Sequence, residues 1–221
     1  MRQIITLQIY NMLETLQGLF EEKKNRIGSD IAGHLPLLLE LVEAIKPKII
    51  VHAGIRDGHS GAAFALGAFK VGSALVDIDM SDYQNLSDSK YNFQEIREQL
   101  PFWTFKKGTT EAVFPDLDGL TGKVDIFFTD TSHNYADTKF EFDNYATLLS
   151  PTGVILTHDT DPWLGLWPDQ TRAIEEWLLS NPEWKHKTQK GNNGMTVFYR
   201  DEAHLCGVVC DNELPIGTHT K

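Results

Sequence analysis

Apolar side chains along the chain follow two alternating patterns, one with helical spacing and one made of short continuous runs. Two segments carry apolar side chains at helical spacing and predict helices. The first is residues 4–20, and the second runs from an N-cap at Ser29 or Asp30 to Ile45. Residues 48–54 contain a brief Ile-Ile-Val run between Pro and Gly, which predicts a buried strand. The strands predicted after it are 73–79, 102–108, 124–130 and 153–159, and the helices are 60–70, 92–100, 137–149 and 170–180.

This alternation predicts parallel strands joined by right-handed helical crossovers. Beyond it, residues 184–190 and 195–200 are strand-like and flank Gly-Asn-Asn-Gly, a turn sequence typical of an antiparallel hairpin. We therefore predict an α/β fold with a doubly wound, mostly parallel, seven-stranded sheet that ends in a C-terminal antiparallel hairpin. The predicted divisions of the chain are an N-terminal helical extension at 1–28, a main domain at 29–200 and a C-terminal tail at 201–221.

Composition narrows the classes of partner. Among 221 residues, 20 Lys and Arg face 31 Asp and Glu, a formal net charge of −11. Because phosphate backbones are bound by basic surfaces, we expect no nucleic acid partner and favour a small molecule. No apolar run has the length of a bilayer-spanning helix or a signal-peptide core, so we expect a cytoplasmic protein with no membrane partner. Cys206 and Cys210 are interpreted as thiols, with a disulfide or a metal as alternatives.

Chemistry is expected beyond the carboxyl ends of parallel strands, near the point where strand order reverses. After the first strand, Gly54 suits a turn with positive φ, Gly58 allows a ligand near the backbone, and Ser60 is a candidate helix cap. The spacing differs from that of dinucleotide binders and P-loops, and plain turn glycines are the alternative. Asp79 ends the second strand, where a carboxylate can bind both ribose hydroxyls; a solvated loop acid or a helix cap is its alternative.

Acidic side chains also end two later strands. Asp130 and Asp159 follow predicted neighbours in the sheet, so their carboxylates are expected to converge on one point above it. Two carboxylates with an adjoining imidazole suit Mg²⁺, or Mn²⁺ or Fe²⁺ if His158 takes part. The predicted metal ligands are Asp130, His158 and Asp159, and the other option for the pair after the fifth strand is Asp159 with Thr160. The alternative is Asp159 as a helix cap and Asp130 as a direct contact of cofactor or substrate.

The order of these parts resembles a class I S-adenosylmethionine-dependent methyltransferase over about residues 30–200. The stretches IVHAGIRDGHSGAAFALG, LVDID and 124–160 look like the small-molecule O-methyltransferases related to catechol O-methyltransferase, macrocin O-methyltransferase and the cephalosporin-hydroxylase-like group. The resemblance implies an enzyme that moves a methyl group from S-adenosylmethionine to a hydroxyl of a small molecule, with Mg²⁺ or another divalent cation as an option. A non-catalytic binder of the same cofactor and a nicotinamide-dependent oxidoreductase remain alternatives. A non-haem iron enzyme using His133, His158 and Asp159 ranks last, because its usual His-x-Asp pair is missing.

The resemblance also implies roles for single residues. Gly54, Gly58 and Ser60 would hold the methionine half of the cofactor, and the stretch 108–111 would pass near the adenine. The family usually has an acidic residue where His52 stands, and Asp57 is the candidate substitute for the contact to the amino group. The complete set of expected cofactor contacts is Gly54, Asp57, Gly58, His59, Ser60, Asp79, Thr109 and Asp130.

Asp130 and His133 are the predicted catalytic residues. Catechol-type enzymes carry a lysine as general base at the position of His133, and an imidazole can remove the same proton. The alternative is that His133 orients its loop by bonding backbone. Trp163 and Trp167 are expected to cap the substrate pocket. The helix over 4–20 is interpreted as a substrate lid or as the surface of a homodimer.

Overall fold

The structure, a computed structural model, describes the backbone of residues 2–82, 89–161, 165–201 and 205, with side chains from residue 7 onwards. The strands are β1 (Ile49–Ala53), β2 (Ala74–Asp79), β3 (Trp103–Lys107), β4 (Val124–Thr129), β5 (Leu149–His158), β6 (Lys185–Gln189) and β7 (Met195–Tyr199). The α-helices are α1 (Arg2–Lys24), α2 (Leu35–Ile45), α3 (His59–Val71), α4 (Phe93–Glu98), α5 (Thr110–Val113), α6 (Tyr135–Tyr145) and α7 (Pro168–Ser180). Turns of 3-10 helix lie at Ala32–His34, Phe114–Leu120 and Ala146–Leu148.

The strands form a seven-stranded sheet in the order β3-β2-β1-β4-β5-β7-β6. Strands β1 to β5 run parallel, and β7 pairs antiparallel with both β5 and β6. The predicted α/β fold, with its doubly wound sheet and C-terminal hairpin, is therefore confirmed. Strand order reverses between β1 and β4, so a crevice for a ligand is expected beyond Ala53 and Thr129.

Two apolar clusters cover the two faces of the sheet. Helices α1, α2 and α3 supply the first cluster, and α5, α6 and α7 supply the second. Consecutive residues of a strand point to opposite faces, so Phe128 belongs to the first cluster and Phe127 to the second. Both side chains are fully buried. A continuous apolar run such as the one in β4 is thus what a strand covered on both faces requires.

Helix α3 lies between α1 and α2 and is lined with small residues. A Cβ built on Gly67 would lie 2.7 Å from Cγ1 of Val42 in α2. Leu16 and Leu19 of α1 are fully buried in the same cluster. The N-terminal helix therefore packs in the same core as the rest of the first layer.

Two helix starts differ from the predictions. Ser29 or Asp30 as N-cap of the second helix is wrong, because a 3-10 turn intervenes and α2 begins at Leu35, with Pro36 in its first turn. Proline is tolerated there because the first N–H groups of a helix have no intrahelical partner. Ser60 as helix cap is also wrong, since α3 begins at His59 after Gly58, whose φ is +78°.

Some predicted features fall outside the described residues, among them Trp163, Cys206 and Cys210. Of the C-terminal tail the structure describes Asp201 and Leu205, and Leu205 is buried in the first apolar cluster. Across the described ranges, none of the helices is both long enough and apolar enough to cross a lipid bilayer.

Candidate functional site

The loop that follows β1 lies directly against the chain that leaves β4. Gly54 has φ +85°, and its N–H donates to the carbonyl of Ile78 at 3.0 Å. The N–H of Asp130 donates to the carbonyl of Ala53, also at 3.0 Å. A Cβ built on Gly54 would lie 1.8 Å from the carbonyl oxygen of Asp130. The predicted positive-φ turn is therefore present, and it brings the two loops into contact where strand order reverses.

The carboxylate of Asp79 ties the glycine loop to the end of β2. Its Oδ2 accepts from the N–H groups of Ile55 and Arg56 at 2.8 and 3.0 Å. Its Oδ1 accepts from the N–H and the hydroxyl of Ser81 at 2.8 and 2.9 Å. Partial burial raises the pKa of Asp79, but the four bonds outweigh it and hold the pKa below its ordinary value. Because these four bonds use both lone pairs of each carboxylate oxygen, a ribose hydroxyl can bind Asp79 only by sharing an oxygen with one of the four donors or by displacing that donor.

Asp57 and His59 pair beside the glycine loop. Nδ1 of His59 lies 3.1 Å from Oδ1 of Asp57, and His59 is buried. Nε2 of His59 has no hydrogen-bond partner among the described residues. Burial raises the pKa of Asp57, whereas His59 and Lys23 lower it, and the lowering prevails. These two expected cofactor contacts thus offer a carboxylate and a buried imidazole nitrogen at one place.

Gly58 faces the ring of Phe93. A Cβ at Gly58 would lie 2.9 Å from two carbons of that ring, and Phe93 is buried. The absence of a side chain at Gly58 therefore serves packing between the loop and α4 as well as the left-handed backbone.

Helix α1 contacts the glycine loop and the segment that precedes α4. Nζ of Lys23, which is buried, donates to the carbonyl of Asp57 at 2.6 Å. The carboxylate of Glu22 accepts from the hydroxyl of Ser89 and, at 3.0 Å, from the N–H of Lys90. The C-terminal end of α1 thus connects the loop after β1 with the segment that leads into α4.

A buried chain of hydrogen bonds lies beneath the glycine loop. Nδ1 of His52 lies 2.8 Å from Oδ1 of Asp77, and its Nε2 lies 2.8 Å from Oγ of Ser60. Oδ2 of Asp77 accepts from the indole N–H of Trp103 at 2.7 Å. Asp77 was not among the residues expected to have a role, although an acid inside the apolar run LVDID is the signal of a partnered buried charge. His52 and Asp77 are register partners on β1 and β2, which explains the imidazole at this position.

This chain of hydrogen bonds has the order of a Ser-His-Asp catalytic triad, but its residues are buried and no substrate can reach them. Asp77 and His52 are fully buried and Ser60 is 3% exposed. A carboxylate only accepts, so Nδ1 of His52 donates to Asp77, and in the neutral imidazole Nε2 then accepts from the hydroxyl of Ser60. The side chain of Ser60 therefore points into the core, and its expected contact to the methionine half of the cofactor stays a prediction.

Replacing Asp77 with asparagine is expected to lower the free energy of unfolding by about 3 kcal/mol, because an NH2 donor would replace one of the two oxygens that accept separately from His52 and from Trp103. The matched control is Asp82→Asn, since Asp82 is an exposed carboxylate paired with Lys107. Its cost is expected to stay at or below about 0.5 kcal/mol. Guanidinium unfolding measures both variants, and equal losses would contradict a structural role for the buried chain.

The stretch expected near the adenine is anchored to the end of β2. Gly108 donates its N–H to the carbonyl of Asp79 at 2.8 Å. Oγ1 of Thr109 accepts from the N–H of Ala112 at 3.1 Å and caps the short helix α5. Thr109 therefore has a structural role in addition to the cofactor contact expected of it.

Asp130 and Asp159 meet at one imidazole. Nε2 of His133 lies 3.1 Å from Oδ1 of Asp130 and 2.9 Å from Oδ2 of Asp159. The convergence expected of acids that follow adjacent parallel strands is thus observed. His133 and Asp159 have φ values of +58° and +60°, a left-handed conformation that is uncommon outside glycine.

His158 approaches the same carboxylates from the end of β5. Its Nδ1 lies 3.5 Å from Oδ2 of Asp130 and 3.5 Å from Oδ2 of Asp159, too far for a good hydrogen bond. Its Nε2 lies 2.8 Å from the carbonyl oxygen of Asn192. Nδ1 of His158 and Oδ1 of Asp159 are buried and have no hydrogen-bond partner among the described residues.

This donor set fits a divalent cation. Asp130, His133 and Asp159 can each offer one ligand atom within 4.8 Å of the others. Carboxylate and imidazole donors suit Mn²⁺ or Fe²⁺, and carboxylates suit Mg²⁺. The predicted ligands Asp130 and Asp159 both belong to this set, and His133 takes the third place. The predicted ligand His158 is not part of it, although its Nδ1 lies 3.5 Å from each carboxylate.

The charges of this cluster balance. Burial lowers the pKa of both imidazoles, but the two carboxylates outweigh it and raise the pKa of His133 to about 9 and of His158 to about 10. Burial raises the pKa of Asp130 and of Asp159, but the histidines hold both below the ordinary value. Near neutral pH two imidazolium ions therefore neutralise two carboxylates. A divalent cation carries the same charge as the two protons, so its binding is expected to release protons.

The turn between β6 and β7 packs against the cluster from one side. Nε2 of His34, a buried residue, lies 2.9 Å from the carbonyl oxygen of Gly191, and the ring of His34 lies 5.5 Å from that of His158. A Cβ built on Gly194 would lie 2.3 Å from the backbone nitrogen of Asp161. The Gly-Asn-Asn-Gly turn is thus also a wall of the site. His34 was missed because only the tertiary fold brings it here.

Trp167 covers the other side of the cluster. Its ring stacks on that of His133, with centroids 4.5 Å apart and planes 18° apart, and Trp167 is 40% exposed. Leu166 beside it is 49% exposed. Trp167 therefore covers the imidazole of His133, and its expected role as a cap of the substrate pocket stays a prediction. Asp159 as a cap of the following helix is wrong, because α7 begins at Pro168 with Trp167 as N-cap.

Residues 51–160 match a protein-family model that is described as a methyltransferase domain. The match begins in β1 and ends just after β5, so it includes the glycine loop, Asp79, Asp130 and Asp159. This chain carries a methyltransferase domain. A curated relative, protein y4gI of Sinorhizobium fredii, is 26% identical over 136 residues, which are 58% of this chain and 15% of that protein. The chain therefore spans about 15% of the length of that relative.

Solved methyltransferases share the fold of this methyltransferase domain. An O-methyltransferase from Bacillus cereus in complex with SAH superposes with a TM-score of 0.60 at 13% identity, over 86% of this chain and 90% of that one. The O-methyltransferase TomG from Streptomyces achromogenes, in complex with SAM, gives 0.55 at 18% identity over 76% and 79%. A TDP-rhamnose 3'-O-methyltransferase of calicheamicin biosynthesis gives 0.59 at 15% identity over 84% and 93%.

Proposed function

We propose that this methyltransferase domain transfers a methyl group from S-adenosylmethionine to a hydroxyl oxygen of a small molecule, and that a divalent cation bound by Asp130 and Asp159 assists. The observation that carries the proposal is the meeting of Asp130, Asp159 and His133 beside the Gly54 loop, where strand order reverses. The fold that this chain shares with SAH- and SAM-bound methyltransferases supports the choice of cofactor.

The proposed reaction is an in-line displacement. The acceptor oxygen attacks the methyl carbon, the bond between that carbon and sulfur breaks, and S-adenosylhomocysteine leaves with the bonding electron pair. The hydroxyl proton of the acceptor passes to a base of the protein. A bound divalent cation lowers the pKa of a hydroxyl that coordinates it. The protein then has mainly to align oxygen, carbon and sulfur, because well-oriented groups react far faster than free ones.

His133 is the proposed base, but its pairing with Asp130 and Asp159 determines when it can accept a proton. While Nε2 pairs with Asp130 and Asp159, the pKa of about 9 keeps this nitrogen protonated near neutral pH. His133 can accept a proton only when those carboxylates are engaged with another charge. Trp167 stacks on the ring and limits its rotation, so that Nε2 stays directed at the carboxylates.

S-adenosylhomocysteine is expected to bind the purified protein with about one equivalent in calorimetry, and reduced nicotinamide dinucleotide is not. The glycine loop lacks the dinucleotide-binding spacing, which is why the second ligand serves as the negative arm. A folded protein that takes up no S-adenosylhomocysteine at millimolar concentration would remove the proposal. Binding of the nicotinamide instead would favour an oxidoreductase.

The variant Asp79→Asn is expected to weaken binding of S-adenosylhomocysteine by about 10- to 100-fold, because hydrogen bonds to a charged carboxylate contribute about 1.5 to 3 kcal/mol. Asp82→Asn is the matched control, three residues further on, and should leave the affinity unchanged. Circular dichroism checks that both variants are folded. Unchanged affinity of Asp79→Asn would mean that the ribose lies elsewhere.

A further inference from the structure

Glu141 is a buried acid that the proposed reaction does not use. It lies on α6, is 1% exposed, and its contacts among the described residues are three threonine hydroxyls. Oε1 accepts from Thr110 and from Thr131, both at 2.9 Å, and Oε2 accepts from Thr129 at 2.5 Å. No lysine, arginine or histidine of the described ranges pairs with this carboxylate.

The three hydroxyls belong to two segments that have different roles in the proposed function. Thr129 and Thr131 are the residues immediately before and after Asp130. Thr110 begins α5, next to Thr109 in the stretch expected near the adenine. One side chain therefore fixes both flanks of the acid at the end of β4 and joins them to the other end of the cofactor site.

The bonds of Glu141 restrict orientation as well as distance. In its ionised form this carboxylate only accepts, so all three threonine hydroxyls then direct their protons to it and each threonine keeps one rotamer. Asp130 lies between two of them, and its own N–H is held by the carbonyl of Ala53. The backbone on either side of the Asp130 carboxylate is thus held at three points.

Stability gives no reason for an acid at this position. Burial raises the pKa of Glu141 above its ordinary value, and the three hydroxyl bonds oppose this rise only in part. Apolar side chains of similar volume often replace buried charged groups without loss of stability. A carboxylate differs from such a side chain in one property that matters here, the ability to hold three hydroxyls in fixed directions.

We propose that Glu141 is a positioning residue, which holds Asp130 in place for methyl transfer and couples that loop to the cofactor segment at Thr110. The part of the inference that concerns methyl transfer rests on the proposed function. The coupling itself is a property of the ligand-free protein and can be measured without cofactor, metal or acceptor.

The first experiment measures amide hydrogen exchange in the ligand-free protein. Glu141→Met keeps the volume and removes every acceptor, whereas the amide oxygen of Glu141→Gln can still accept the two bonds made to Oε1. Exchange at the Asp130 amide is expected to be fastest in the Met variant, intermediate in the Gln variant and slowest in the wild type, with at least about a tenfold span. Asp143→Asn is the matched control, because Asp143 is an exposed carboxylate of the same helix paired with Lys139, and its exchange should equal that of the wild type.

A second variant keeps the test valid if Glu141→Met does not fold. Thr131→Val removes one hydroxyl with little change of shape and is also expected to raise exchange at Asp130. Wild-type exchange at Asp130 in Thr131→Val, or in a folded Glu141→Met, would overturn the inference.

The second experiment separates positioning from a structural role. Glu141→Met is expected to weaken binding of S-adenosylhomocysteine and of Mn²⁺ by about tenfold or more while its thermal midpoint stays close to that of Asp143→Asn. Unchanged affinities together with faster exchange would show that Glu141 only supports the loop, and would overturn the positioning role. If the wild type itself binds no S-adenosylhomocysteine, the proposed function fails, whereas the exchange result still decides whether Glu141 holds the loop.

Discussion

Replacing Asp159 with asparagine is expected to lower the affinity for Mn²⁺ by at least about 100-fold, because ligand removal should cost at least as much as loss of an outer-shell partner. Oδ2 of Asp159 lies 2.9 Å from His133 and 3.5 Å from His158, at the centre of the proposed metal site. Asparagine is well suited to the φ of +60° at this position, so the backbone should persist. Calorimetric titration of the ligand-free protein with Mn²⁺ measures the effect.

The control for this variant is Asp161→Asn. Asp161 lies two residues further along, where its Oδ2 is 3.4 Å from the N–H of Gly191 and outside the cluster. This change should leave Mn²⁺ affinity within about twofold of the wild type, since Asp161 is not among the residues that can offer a ligand atom to the cluster. Equal Mn²⁺ affinity of Asp159→Asn and wild type would exclude the metal site while leaving cofactor binding untouched.

Gly54→Ala is expected to have the largest structural effect of the substitutions considered, a loss of about 3 kcal/mol or more in the free energy of unfolding. The new Cβ would lie 1.8 Å from the carbonyl oxygen of Asp130, a backbone atom that cannot turn away. The loops after β1 and β4 would have to separate, so binding of S-adenosylhomocysteine should be lost as well. Guanidinium unfolding and calorimetry measure the two losses.

Gly72→Ala distinguishes crowding from backbone strain in this prediction. Gly72 has φ +81°, close to the +85° of Gly54, but a Cβ there would meet no heavy atom within 4 Å. Its cost is therefore expected to be that of the left-handed conformation alone, about 1 kcal/mol. If the two substitutions cost the same, the close contact between the glycine loop and Asp130 is not what stabilises the switch point.

The convergence of Asp130 and Asp159 shows how far sequence reasoning reaches into the site. Both acids directly follow apolar runs, and alternating patterns predict that those runs are parallel neighbours in one sheet. The carboxyl ends of such strands lie at the same edge, so the meeting of the two acids follows without coordinates. The exact partners do not follow, because each can reach several side chains. His133 lies within hydrogen-bond reach of both acids, whereas His158 lies slightly beyond it.

Other residues show where sequence reasoning ended. Gly58 was interpreted as a place for close approach of a ligand, and the structure adds the ring of Phe93 against it. Asp77, His34 and Glu141 received no role, because none of them follows a strand or belongs to a recognisable spacing. Their partners lie from 10 residues away in the chain, for Glu141 and Thr131, to 158 residues away, for His34 and Asn192.

By itself the amino-acid sequence determined the order and type of the elements and the strand ends where charged side chains collect, because hydrophobic periods and turn residues act over a few positions. Only the tertiary structure decided which buried polar groups pair, since a hydrogen bond requires atoms within about 3 Å and that distance depends on register and packing. The placement of Glu141 between Thr110, Thr129 and Thr131 is of the second kind, because packing of α6 against the end of β4 creates it.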